Sequence, residues 1–186
     1  VLELARLLAE GPRPRRPVVF ALFGSEESGG FGARYFVDRP VLPLTDIVAD
    51  LQVEMIGRPD PKVPAGTLWL TGFDRSTLGP QLAAKGARLV ADPHPDQRFF
   101  ERSDNIRFAR RGVVAHTVSS FGLHREYHQP SDEFRHIARL RLARVLIFQE
   151  KHAEALKALN DPGSRAFAPA FHDVRGDVYY AMGKQA

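Results

Sequence analysis

The order of apolar and polar residues along the 186-residue chain predicts strands that alternate with helices. An apolar, β-branched run predicts a buried strand at residues 18–23. Further strands are predicted within residues 46–54, 67–71, 88–91 and 113–119, and helices at 1–10, 33–37, 76–85 and 103–111. This alternation is typical of an α/β fold, and we expect a mixed β-sheet flanked by helices.

The pattern changes near residue 137, and no strand signal follows residue 120. Helical periodicity returns at residues 138–149, 151–159 and 166–182, with Leu142, Leu146 and Phe148 on the apolar side. The chain is therefore predicted to consist of an α/β domain at 1–137 and an α-helical tail at 138–186. The alternative is that these are the closing helices of the same domain.

Acidic residues and a histidine follow the predicted strands. Glu26 and Glu27 come after the first strand, Glu54 ends the second, and His128 lies in the polar loop after the last. Functional side chains of open α/β sheets collect at the carboxyl ends of strands. Carboxylates and imidazoles are zinc ligands, and a catalytic zinc keeps one position open for water. We therefore expect Glu27, Glu54 and His128 to bind a metal and Glu26 to take a proton from water.

Two further residues complete this hypothesis. Tyr127, beside His128, could donate a hydrogen bond to a developing oxyanion. His124 is the main rival of His128 as a metal ligand, whereas His116 falls inside an apolar strand and is expected to be a core histidine.

Each candidate also has a purely structural interpretation. The Glu26–Glu27 pair could be a solvated acidic turn, and Glu54 a surface acid at a strand edge. His128 could be a loop histidine held by a turn, and Tyr127 a packing aromatic. Asp104 could belong to the cap of a helix that begins at Ser103.

Composition limits the chemistry that is available. The chain has no cysteine, so disulfides, thiolate zinc sites and cysteine nucleophiles are excluded, and any metal must be held by the 7 histidines or 22 acids. Its net charge is +4, but the basic residues are scattered, so we expect no nucleic-acid partner. No apolar run reaches the roughly 18–20 residues of a transmembrane helix.

Four motifs in order resemble one known family. They are residues 23–36 (FGSEESGGFGARYF), 54–58 (EMIGR), 103–112 (SDNIRFARRG) and 127–132 (YHQPSD). Over residues 1–137 the chain resembles the zinc aminopeptidases of family M28 and their relatives, the glutaminyl cyclases. The resemblance implies a peptide substrate, removal of an N-terminal residue, one or two zinc ions, and a periplasmic or secreted location.

The same resemblance assigns roles to individual residues. Glu26 would be the general base and Tyr127 the group that polarises the scissile carbonyl. Glu27, Glu54 and His128 would be zinc ligands, and Asp104 would lie near the substrate pocket.

The chain also departs from the family pattern. Family members carry an upstream His and a metal-bridging Asp before a helix that resembles residues 1–9, and Asn105 stands where His is usual. The sequence begins at Val1 without an initiator Met, so we expect a fragment. Because two of the family's ligands are missing from this sequence, we expect it to bind zinc weakly and to hydrolyse little. Glutaminyl cyclisation is the alternative reaction, although cyclases typically have Trp in place of Tyr127. A non-catalytic interaction module is the third hypothesis.

The tail resembles a different kind of protein. Residues 154–156 (EAL) and 176–184 (GDVYYAMGK) are similar to tetratricopeptide-type repeats. Helical pairs of this type stack on one another. The resemblance implies a fused chain with a possible protein partner at its tail.

Overall fold

The computed structural model describes residues 1–132 and 152–160. Five helices are found in these residues: α1 (Leu2–Glu10), α2 (Phe31–Asp38), α3 (Leu78–Ala84), α4 (Asn105–Ala109) and α5 (His152–Asn160). Four strands accompany them: β1 (Asp50–Val53), β2 (Leu68–Leu70), β3 (Leu89–Ala91) and β4 (Ala115–Ser119). The described residues therefore form the α/β fold that the sequence predicts.

The four strands form one mixed sheet in the order β1-β4-β2-β3. β1 pairs with β4 in parallel, with Asp50 opposite Ala115 and Val53 opposite Val118. β2 pairs with β4 in the antiparallel sense, with Leu70 opposite Val118. All five residues of β4 are buried, which explains why its sequence reads as a strand protected on both faces.

The chain divides into two compact units. Unit 1 consists of Val1–Glu54 and Trp69–Ser119, and unit 2 of Met55–Leu68 and the described residues from Ser120 onward. In unit 1 an apolar cluster is formed by α2, α4, the start of β4 and the segment just before it, and it contains Ala33, Val37, Phe108, Val113 and Ala115. This cluster fixes α2 and α4, the two helices that adjoin the acidic segments.

The predicted buried strand at residues 18–23 is wrong. No strand is assigned there within the described residues, and Val19 and Leu22 are 54% and 74% exposed. Only Phe23, at the end of the run, packs against the cluster, with its ring centroid 5.6 Å from that of Phe36. β propensity reports the fit of a side chain to a paired, half-buried surface, and this run has no partner strand among the described residues. Glu27 consequently does not follow a strand, contrary to expectation.

The other predictions in residues 1–132 match the structure to within a few residues at each end. β1 is shorter than expected because Leu44–Asp46 forms a 3₁₀ turn and pairing starts at Asp50. In the tail, α5 confirms the helix predicted at residues 151–159. The helices predicted at 138–149 and 166–182, and the contacts of Leu142, Leu146 and Phe148, lie outside the described residues.

No described helix has the length and the apolar character needed to cross a bilayer.

Candidate active site

The segment that carries Glu26 and Glu27 is a tight turn leading into α2. The amide of Gly30 donates to the carbonyls of Ser25 and Glu26 at 3.0 and 2.8 Å, and the amide of Gly32 donates to Gly24 at 3.1 Å. Gly30 adopts φ +66°, which glycine tolerates at little cost. The glycines thus close the turn that carries the two glutamates by backbone hydrogen bonds.

A second constraint holds this turn from the side of α4. The Arg107 guanidinium donates to the Gly29 carbonyl at 2.8 Å. A Cβ at Gly30 would lie 3.1 Å from Asp104 Oδ1 and 3.3 Å from Arg107 Nε. The Glu26–Glu27 turn is therefore packed against the segment that contains Asp104.

Glu54 follows the last residue of β1, as the sequence predicts. The Ser103 hydroxyl donates to Glu54 Oε2 at 2.9 Å, so Ser103 does not act as a side-chain cap of α4. Burial raises the pKa of Glu54, the Ser103 hydrogen bond opposes this, and the charges of Glu26, Asp104 and Glu27 raise it further. Glu54 is therefore a partly buried carboxylate in the negative field of three others, not an isolated surface acid.

Asp104 is also buried, with 7% of the residue exposed. Its Oδ1 atom has no hydrogen-bond partner among the described residues. Burial raises the pKa of Asp104, and the neighbouring Arg107 lowers it. A buried carboxylate oxygen with no donor has a strong tendency to attract a cation or a proton.

Asp50 extends the acidic region along β1. Gln52 Nε2 donates to both Asp50 oxygens, at 2.9 and 3.0 Å. Burial raises the pKa of Asp50 to about 6, with Gln52 opposing the shift and Asp104 adding to it. The polar positions of β1, Asp50 and Gln52, are more buried than Leu51 between them, which is the reverse of an ordinary surface strand.

In unit 2, Tyr127 and His128 lie in a turn-rich loop. Their rings stack with centroids 3.9 Å apart, and Phe121 lies 4.6 Å from Tyr127. His128 adopts φ +57°, a left-handed conformation that is uncommon for a residue with a Cβ. His124, the alternative ligand, has Nδ1 3.8 Å from Glu126 Oε2.

His116 is the core histidine that the sequence predicts. It is buried, with Nδ1 2.7 Å from the Thr71 carbonyl and Nε2 2.7 Å from the Ser76 hydroxyl. Because a carbonyl can only accept, Nδ1 carries a proton.

The site residues thus fall into two sets. Unit 1 brings Glu26, Glu27, Glu54 and Asp104 into one electrostatic neighbourhood, and unit 2 holds Tyr127 and His128 together. The convergence of His128 with Glu27 and Glu54 on one metal stays a prediction. No group of three or more metal-ligating side chains is assembled within residues 1–132 and 152–160.

Sequence reasoning missed the supporting residues. The sequence predicts Ser103 only as the start of a helix, and it gives no role to Arg107 or Asp50. The period-two spacing of Asp50, Gln52 and Glu54 is the one signal that could have revealed a polar inner face. Nothing in the local sequence identifies Ser103 as the partner of a residue 49 positions away.

The chain is similar in structure to BSAP, a zinc aminopeptidase from Bacillus subtilis. In two structures of that protein the TM-scores are 0.61 and 0.58, with 23% sequence identity, covering 77% of this chain and 36% of BSAP. An aminopeptidase from Aneurinibacillus sp. strain AM-1 is similar at 23% identity, with a TM-score of 0.47, over 66% of this chain and 29% of that one. The chain therefore spans about a third of the length of these proteins.

Two family models match the sequence. The tetratricopeptide repeat-like domain matches residues 123–186, which agrees with the resemblance of the tail. No curated protein is detectably similar to the chain. The model of peptidase family M28 matches residues 1–149, four fifths of the chain. The chain belongs to peptidase family M28.

Proposed function

We propose that this chain carries part of the active site of a zinc-dependent aminopeptidase, which releases N-terminal residues from peptides. One observation carries the proposal: Glu54 is partly buried at the end of β1 and lies in the field of Glu26, Glu27 and Asp104. Such a concentration of carboxylates is costly without a cation nearby. Membership of family M28 supports the identity of that cation and the type of reaction.

The donor chemistry fits zinc in part. Glu27, Glu54 and His128 offer carboxylate oxygen and imidazole nitrogen, which are zinc ligands, and the raised pKa of Glu54 is the expected property of a ligand that a cation would relieve. These three residues would hold the metal in this proposal. When bound, zinc would act as a Lewis acid and lower the pKa of water.

The remaining chemistry belongs to side chains of this chain. Glu26 accepts a proton from the water that attacks the peptide carbonyl carbon. The Tyr127 hydroxyl donates a hydrogen bond to the carbonyl oxygen as negative charge develops on it. The C–N bond then breaks and Glu26 returns its proton to the leaving amine. The buried carboxylate of Asp104 attracts the α-ammonium group of the substrate.

The test is hydrolysis of aminoacyl-anilides with added Zn²⁺ by the chain and by Glu26→Gln. Glu26→Gln retains the size of the side chain but cannot accept the proton, so kcat is expected to fall by about 10²–10⁴-fold. Asp46→Asn, an exposed acid of the same unit, is the matched control and should retain full activity. The same comparison is made in a longer chain, in which a family M28 segment with the upstream His and Asp is placed before Val1. Parent and Glu26→Gln are measured in both chain lengths.

A peptide that begins with glutamine separates the two reactions of the scaffold. Hydrolysis releases glutamine, whereas cyclisation releases ammonia and leaves the peptide otherwise intact. Equal rates for Glu26→Gln and the parent in both chain lengths would contradict the proposal. No activity in either parent chain would favour the non-catalytic interaction module.

A further inference from the structure

Arg58 bridges two parts of unit 2 that are far apart in sequence. Its Nη1 donates to Glu126 Oε2 at 2.9 Å, and its Nη2 donates to Asp132 Oδ1 at 3.0 Å. The side chains of Arg58 and Glu126 are only 17% and 13% exposed. One guanidinium therefore engages two carboxylates, and these carboxylates lie on opposite sides of Tyr127 and His128 in the sequence.

The start of the same loop is attached at other points. The Ser120 amide and hydroxyl donate to the Met55 carbonyl at 3.4 and 3.3 Å, and the hydroxyl also donates to the Arg58 carbonyl. A Cβ at Gly122 would lie 2.8 Å from Pro61 Cδ and 3.1 Å from the Asp60 Cα, so only glycine allows this approach. Residues 120–132 are thus attached to residues 55–61 at the start, middle and end.

We propose that Arg58 is a positioning residue for Tyr127 and His128, fixing the conformation of the loop that presents both rings. The catalytic meaning of this role rests on the proposed function, in which Tyr127 polarises the carbonyl and His128 binds the metal. Arg58 itself touches neither the metal nor the substrate in this proposal. It acts through Glu126 and Asp132, which hold the loop on each side of the two rings.

The chemistry of the guanidinium explains why arginine occupies this position. Its planar fork has donors at separate nitrogens, so it can bind two carboxylates at once, whereas a lysine ammonium is a compact point charge. Glu126 also accepts a hydrogen bond from Arg125 Nε, at 2.8 Å from its Oε1 atom. Two arginines therefore engage the two oxygens of the Glu126 carboxylate, Arg58 at Oε2 and Arg125 at Oε1.

The positioning role of Arg58 can be tested by NMR, even if the chain has no enzymatic activity. Stacking on Tyr127 is expected to shift the His128 ring protons upfield in the NMR spectrum, and Tyr127→Leu should remove that shift and so assign it. Arg58→Met should likewise lose most of the shift, and Arg58→Lys should retain part of it. Arg111→Met is the matched control, because Arg111 forms an exposed ion pair with Asp38 in unit 1. It should leave the His128 signals unchanged.

Trypsin provides a second readout within the loop, since the Arg125 side chain is 94% exposed. Arg58→Met should accelerate cleavage after Arg125 by about tenfold, which corresponds to about 1.4 kcal/mol of loop opening. Asp132→Asn should act in the same direction, and Arg111→Met should not. Unchanged His128 signals and cleavage rates in Arg58→Met would overturn the proposal. So would equal changes in Arg58→Met and Arg111→Met.

Kinetics then separate this inference from the proposed function. If the chain hydrolyses peptides, Arg58→Met should lower kcat more than it raises KM, because the loop holds groups that act on the reacting carbonyl. If neither the supplied nor the lengthened parent chain hydrolyses peptides while Arg58→Met releases the loop, the proposed function fails and the positioning role stands.

Discussion

At the scale of single residues, three buried or half-buried acids of unit 1 differ in the groups that offset the cost of burying their carboxylates. Glu54 has the Ser103 hydroxyl, Asp50 has the Gln52 amide, and Asp104 keeps one buried oxygen without a donor among the described residues. None of the three has a described ion pair. An ordinary surface acid such as Asp38 differs in this respect, because it forms an ion pair with Arg111.

Asp50 yields a prediction for pH dependence. Its pKa is about 6 in the folded chain and 3.8 in its ordinary state, so the folded state holds more protons between these values. Stability should therefore fall as the pH rises from about 3.8 to about 6, by an amount on the order of 2–3 kcal/mol. Below this window the penalty is absent, and above it the penalty is complete.

Asp50→Asn should remove this penalty while still accepting one hydrogen bond from Gln52. We expect the variant to be more stable than the parent by about 2 kcal/mol at pH 7 and nearly equal to it at pH 4. Urea unfolding at both pH values measures the difference, with the exposed Asp46→Asn as control. A gain of the same size at both pH values would show that charge is not the cause.

At the scale of elements, the turn that carries Glu26 and Glu27 depends on backbone approach more than on side chains. A Cβ at Gly32 would lie 2.6 Å from the Gly24 carbonyl oxygen and 3.2 Å from the Phe23 Cβ, whereas a Cβ at Gly24 would meet open space. Alanine is the better helix former, so propensity alone would favour a change at Gly32 within α2.

Gly32→Ala should nevertheless destabilise the chain by about 1–3 kcal/mol, because the backbone of the turn must shift to admit the methyl group. Gly24→Ala in the same turn should change stability by less than about 0.5 kcal/mol. Thermal unfolding of the two variants compares them directly. If Gly32→Ala is as stable as Gly24→Ala, the turn is not closely packed at this point.

Element by element, the sequence predicts most of this fold. The apolar run of β4 and the helical patterns of α2 and α4 match residues that are buried. β1 is predicted in the right place although its polar positions are more buried than Leu51. The prediction fails at residues 18–23, because strand propensity cannot tell whether a partner strand is present. The acids are found from their positions and from the M28 motifs. Sequence patterns do not identify Ser103, Arg107 or Arg58 as functional, because their partners are distant in the sequence and leave no local pattern.

At the scale of the whole molecule, the four strands and the apolar cluster all lie before residue 120. The predicted boundary at residue 137 remains a prediction, and the two family models overlap at residues 123–149. The proposed metal site also remains a prediction. Two of its ligands, Glu54 and His128, belong to different units.

A chain that ends after residue 137 should therefore keep its sheet. β4 pairs with β1 and β2 and packs against α4, all of which the shortened chain retains. Hydrogen exchange should show the amides of Ala115–Ser119 protected equally in the full and shortened chains. Loss of that protection would mean that the tail is needed for the sheet.

The run at residues 18–22 pairs with no strand in the described part of the chain, and this has a consequence in concentrated solution. Val18, Val19, Phe20 and Leu22 are exposed, rich in β-forming side chains and without charge. Backbone groups that pair with no neighbouring strand are open templates for another copy of the same segment. The arginines at positions 13, 15 and 16 precede this run, and their mutual repulsion between copies weakens as salt is added. We therefore expect self-association of this chain to increase as salt is added, through a segment outside the described sheet.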